Sequence, residues 1–197
     1  MLAAGHIAPV TLPARTGVLV HSPLVGPTSW LPVAHELERR GRVAVVPSLL
    51  GVAEATEPRW RHVPEAVRVV ISHLRRRVVL VGHSGAGPLL AVIADALAVE
   101  VAVLVFVDSL PPPAGPTLGP PEFVDQLRAM ATDGVLAPWS RWFGADAMRE
   151  LVADQRLRAD LEAEMARLPL SYFDAAVPLP DDWASRRPCA YLLLSAP

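Results

Sequence analysis

Val79-Leu80-Val81-Gly82-His83-Ser84-Gly85-Ala86-Gly87 is an aliphatic, β-branched run that breaks into Gly-x-Ser-x-small and leads into a helical pattern. A buried strand that passes at once into a helix has to turn sharply. Small residues on either side of the Ser let the backbone do so without striking the adjoining strand or helix. Such a turn sets Ser84 in a strained conformation at the strand's carboxyl end, with its hydroxyl facing a crevice. The Gly85 N–H and the helix N-terminus then point at any oxyanion formed beside it.

Working outward, strand-like runs occur at Gly17–His21, Arg42–Val46, Val78–Gly82, Val101–Val107 and Cys189–Ser195. None alternates apolar with polar residues, the mark of strands covered on both faces in a parallel sheet. Helical patterns separate the first four. Thr28 or Ser29 can cap a segment from Trp30 through Val33 and Leu37 to Gly41, a favoured left-handed stop. Pro64 opens a second helix with Val67, Val70, Ile71 and Leu74 on one stripe, and a third follows Ser84 with Leu89, Val92, Ile93 and Leu97 inward. This alternation predicts an α/β fold: a doubly wound, mostly parallel sheet of about five strands with helices on both faces. From Leu110 to Pro188 no strand-like run is visible. A Pro/Gly-rich stretch, Pro111 to Pro121, precedes helical stripes at Phe123, Leu127, Met130 and Ala131 and at Leu157, Leu161, Met165 and Leu168. A structureless connection of that length is rare, so residues 110–188 read as a helical cap inserted into a core of residues 1–109 and 189–197.

A length of 197 residues suits one domain at roughly 100–200 residues each. With 52% hydrophobic and 19% charged residues the chain is too apolar for disorder, and a lone Cys189 excludes a disulfide framework or a Cys-based metal finger. Eighteen basic against 20 acidic residues leave −2, so no global field draws nucleic acid or an anionic membrane. The dense basic run Arg75-Arg76-Arg77 reads as a helix end. Met1 to Pro13 shows neither a basic leader nor an unbroken apolar stretch, which predicts a cytoplasmic protein. Val78 to Val107 is too interrupted by polar residues to span a bilayer. Gly82, Gly85 and Gly87 do not match the Gly-x-Gly-x-x-Gly of a dinucleotide site, and no cofactor or metal is expected.

Around the elbow the chain resembles the α/β-hydrolase superfamily. The resemblance runs from Val18-Leu19-Val20-His21-Ser22-Pro23 through Pro47-Ser48-Leu49-Leu50-Gly51 to the elbow and Phe106-Val107-Asp108. It implies a serine hydrolase acting on a small apolar ester or thioester through a Ser84 acyl-enzyme, with Gly85 in the oxyanion hole and Asp108 at an alternative acid position. Two departures stand out. Where the family has His-Gly and then an oxyanion N–H, this chain has His21-Ser22-Pro23, and Pro donates nothing. Either Leu24 donates instead or the hole is one donor short. The family order is nucleophile, acid, His, yet all six His precede Ser84, so the resemblance implies that the remaining triad members belong to a segment not in this chain. His21 is the one His expected beside the crevice, with loop ordering as its commoner role, and His83 should leave the elbow in another direction. The alternative function is a catalytically inactive hydrolase fold that binds a small molecule. Trp139, Trp142, Phe143, Tyr172, Phe173 and Trp183 could line an apolar pocket, although packing is the usual role of such rings. An edge strand at Cys189–Ser195 would leave backbone groups unpaired and favour self-association.

Overall fold

The computed structural model describes residues 15–75, 77–112, 118–144, 146–179 and 181–194. Readings that touch Met1–Pro13, His6, Arg76, the middle of the Pro/Gly-rich stretch and Ser195–Pro197 lie outside them. Along the chain come β1 (Thr16–Val20), α1 (Leu31–Arg39), β2 (Ala44–Val45), α2 (His62–Ile71), β3 (Val78–His83), α3 (Leu90–Ala96) and β4 (Val101–Val107). An excursion follows with α4 (Pro121–Met130), β5 (Val135–Leu136), α5 (Ala147–Leu151), α6 (Gln155–Ala163), β6 (Leu168–Pro169) and α7 (Ser171–Asp174), before β7 (Cys189–Leu192) returns to the sheet. The sheet order is β2-β1-β3-β4-β7 with every pairing parallel, so the elbow strand β3 is central.

Burial explains the absent alternation in β1, β3 and β4, whereas β7, expected to be covered on both faces, is exposed throughout. Val18 and Val20 of β1 and Val78 and Leu80 of β3 are sealed against α2 and α3 through Val63, Val67, Ile71, Leu90 and Ile93. Leu19, Val81, Val105 and Val107 face the other way, onto Trp30, Ala34 and Leu37 of the α1 segment. Each fully buried aliphatic side chain contributes roughly 1.5–3 kcal/mol relative to exposure, so a sheet apolar on both faces is fastened only when both are covered.

Helix ends differ from expectation in informative ways. Gly41 does take the left-handed turn, at φ +67°. The Gly41 and Arg42 N–H groups bond the Glu38 and Leu37 carbonyls, closing α1 in a Schellman motif. Its start is not capped by Thr28 or Ser29: residues Pro27–Ser29 form a 3-10 turn, the Ser29 hydroxyl donates back to Gly26, and the Thr28 hydroxyl is taken by Glu164. The α2 helix stops at Ile71, and Arg75 reaches the Ser72 carbonyl beyond it.

The excursion holds a strand pair that its sequence conceals. β5 and β6 pair antiparallel over two residues each, too short for any period to register. Of the stripes, Leu127 and Leu161 are buried as expected, but Met130 is 41% exposed because α4 ends there. Met165 and Leu168 are buried beyond the end of α6, Leu168 in β6. Leu118, Leu136, Leu168, Leu170, Tyr172 and Phe173 join one continuous core with Leu24, Ala86 and Phe106, while Met148, Leu161 and Met165 form a smaller cluster that takes in Val25. Phe143 is exposed, and Trp139, Trp142 and Trp183 are half-buried packing residues.

Candidate active site

The backbone at Ser84 has φ +51°, a left-handed conformation rare outside glycine, at the junction of β3 with a 3-10 turn (Ser84–Leu89). Pro88 sits inside that turn, so regular helix begins only at Leu90; the helix expected directly after Ser84 is therefore short. Ser84 is half-buried, neither sealed in the core nor within a regular helix. Its carbonyl accepts the Ser109 hydroxyl, which ties the elbow to the end of β4.

Each neighbouring glycine has a steric reason. A Cβ on Gly82 would stand 2.8 Å from Leu90, one on Gly85 3.0 Å from the Ser22 Oγ, and one on Gly87 2.6 Å from the Leu110 carbonyl and inside the Ser109 side chain. Helix, His loop and following strand thus close on the elbow from three sides.

His21 is fully buried and both ring nitrogens are occupied. The Leu49 N–H donates to Nε2 at 2.9 Å, so the proton resides on Nδ1, which donates to the Ser22 carbonyl at 2.8 Å. Burial pushes its pKa below the ordinary imidazole value and keeps it neutral. It orders the loop and has no free nitrogen to accept a proton from Ser84. His83 lies on the α1 face of β3, edge-on to Trp30 with ring centroids 6.0 Å apart; burial lowers its pKa too, opposed in part by the Asp108 charge. Asp108, at φ +38°, accepts the Leu194 N–H on Oδ1 at 2.9 Å, which ties its carboxylate to the chain after β7. The Leu24 N–H, the expected substitute donor, turns onto the Ser22 Oγ at 3.3 Å.

Two further residues shape the site through contacts that are weakly marked, or unmarked, in the sequence. At Ser22 the signal is a hydroxyl where the family has the hydrogen of His-Gly. Glu164 gave none, lying 136 positions from its partner: its carboxylate takes the Thr28 N–H at 2.9 Å and hydroxyl at 2.8 Å, and its Cδ would stand 2.6 Å from a Cβ on Gly26. A groove of about 370 Å³ lined by Arg68, Arg75, Arg77 and Glu100 lies at the opposite, amino-terminal edge of β3 and β4. Among the described residues no three His, Cys, Asp or Glu gather as a metal site, and no helix is long and apolar enough to cross a membrane.

Residues 18–196 match the family described as alpha/beta hydrolase. Similar solved structures include an extracellular alpha/beta-hydrolase from a Paenibacillus species, at TM-score 0.68 and 20% identity over 91% of this chain and 77% of that one. Polyneuridine aldehyde esterase gives TM-score 0.65 and 18% identity over 92% and 80%. A pyrethroid hydrolase from Sphingobium faniae JZ-2 gives 0.62 and 18% over 92% and 89%. At such identities the likeness is one of fold. Curated protein sequences contain no match to the chain.

Proposed function

The chain belongs to the alpha/beta hydrolase family, and on that premise we propose that it hydrolyses a small apolar carboxylic ester or thioester through an acyl-enzyme on Ser84. The observation that carries the reading is the left-handed, half-buried Ser84 at the carboxyl end of the central strand. A residue pays for such a backbone only where its neighbours hold it there, and strained positions of this type gather at reactive centres. The esterase and hydrolase named among the similar folds agree with this chemistry.

In the reaction the Ser84 Oγ bonds to the substrate carbonyl carbon as its proton passes to a base, and the carbonyl electron pair moves onto oxygen. Collapse expels the alkoxide or thiolate, which takes that proton back, and water then repeats the sequence on the acyl-enzyme. The Gly85 N–H faces the oxyanion. Residues 110–188, whose Leu118, Tyr172 and Phe173 continue the core from Leu24 and Ala86, act as the cap that selects the acyl group.

A second reading has its own observation: both nitrogens of His21, the imidazole expected beside the crevice, are engaged within the loop, so it does not take the Ser84 proton. In that reading the fold binds a small ester without turning it over. One assay separates the two, p-nitrophenyl butyrate hydrolysis with free imidazole as the base. General-base assistance is worth on the order of 10²–10⁴-fold. Imidazole-dependent turnover above the protein-free rate that is lost in Ser84→Ala supports the hydrolase; equal rates in the two proteins overturn it, and ester binding retained in Ser84→Ala then supports the binding module.

A further inference from the structure

We propose that the Ser22 side chain is the second donor of the oxyanion hole, its hydroxyl doing what the missing N–H of Pro23 cannot. The inference rests on the Ser84 hydrolase reading. Ser22 is 2% exposed, and its Oγ lies 3.0 Å from where a Cβ on Gly85, the residue that carries the other donor, would stand. That oxygen accepts the Leu24 N–H at 3.3 Å, while among the described residues nothing accepts the hydroxyl's own proton. A buried hydroxyl with an uncommitted proton is uncommon, since such groups nearly always find an acceptor.

An oxyanion on the Ser84 adduct is the acceptor that would satisfy it. The hydroxyl donates a hydrogen bond and keeps its proton; no covalent bond of Ser22 changes. Because the charge exists only in the transition state and tetrahedral intermediate, the bond strengthens there and lowers the barrier without tightening substrate binding. The Leu24 N–H polarises the hydroxyl from behind, making it a better donor. Preorganisation is visible as well. The Ser22 carbonyl is held by both His21 Nδ1 at 2.8 Å and the Val25 N–H at 3.1 Å, so the residue is fixed before substrate arrives.

The test compares p-nitrophenyl butyrate turnover, with imidazole, in the unaltered protein, Ser22→Ala, Ser22→Cys and Ser22→Thr. Removing one oxyanion donor lowers kcat by about 10²–10³-fold, with KM little changed. Ser22→Ala should show that loss, Ser22→Cys most of it because a thiol donates weakly, and Ser22→Thr a recovery. Cys keeps the buried atom, so its kcat decides the matter if Ala unfolds. An unchanged kcat in a folded Ala or Cys variant, or a loss in Thr equal to that in Ala, overturns the donor role while leaving the hydrolase standing. Absence of Ser84-dependent turnover in the unaltered protein overturns both.

Discussion

Ser84 keeps its left-handed backbone because the positions around it leave no room to relax. Gly87 is the tightest of them, and Gly87→Ala would drive a methyl into Ser109 and the Leu110 carbonyl. We expect a loss of about 1–3 kcal/mol in urea unfolding, the usual cost of overpacking, with the Ser109 bond to the Ser84 carbonyl weakened as well. A variant as stable as the parent would show that the β4 end yields. His21 and His83 make a second residue-scale prediction. Burial depresses both from an ordinary value of 6.5, so as pH falls below about 6.5 the unfolded chain takes up protons that the folded chain refuses. Stability should therefore decline on acidification from pH 7 toward 5 and level off above 7. At His21 the proton would land on Nε2, opposite the Leu49 N–H that now donates to it. The exposed carboxylates Glu36, Glu65 and Asp182, held low by Arg neighbours, respond only further down. Urea midpoints across that range check the trend, and a flat profile contradicts it. The elbow was legible because strand, Ser and small residues are contiguous. The fate of the His21 nitrogens was not, since Leu49 meets them only after β1 and the following turns fold together.

At the scale of elements, the start of α1 shows where local signals stop. Thr28 is a good cap by type, yet its hydroxyl and N–H both serve Glu164 at the end of α6, which fastens the excursion to the His loop. Val25 packs into the Met148–Leu161–Met165 cluster on the same side. Hydrogen bonds to a charged acceptor contribute about 1.5–3 kcal/mol when one partner is removed. Glu164→Ala should lose stability in that range, and Glu164→Gln less, because an amide oxygen still accepts one of the two bonds. Protease cleavage within 147–170 should quicken in step. Cleavage that stays at the parent rate would show that the apolar cluster alone holds the helix down. Stripes in α4 and α6 marked real helices but overran their ends, since periodicity does not report the point where a chain leaves a helix and stays buried, as it does at Met165 and Leu168.

For the whole molecule, the sheet ends in β7, whose Cys189, Ala190, Tyr191 and Leu192 are all exposed, with Leu193 and Leu194 beyond them. Among the described residues no strand pairs its outer edge, which offers N–H and C=O groups beside apolar side chains, and a second copy offers the same set in reverse. We propose antiparallel β7–β7 association. Sedimentation should show a concentration-dependent dimer that Leu192→Lys weakens; a monomer at all concentrations contradicts it. Taken by itself, the amino-acid sequence determined the parallel sheet, the strand-to-helix elbow and the excursion between β4 and β7, because each is written in neighbouring residues whose apolar runs and small side chains act over a few positions. Tertiary structure alone decided that His21 is a loop clamp, that Asp108 is bound to Leu194, that Glu164 joins α6 to Thr28, and that the Ser22 hydroxyl sits beside Gly85. These are hydrogen-bond and packing choices between segments far apart in the chain, and only the closed sheet brings the partners within reach.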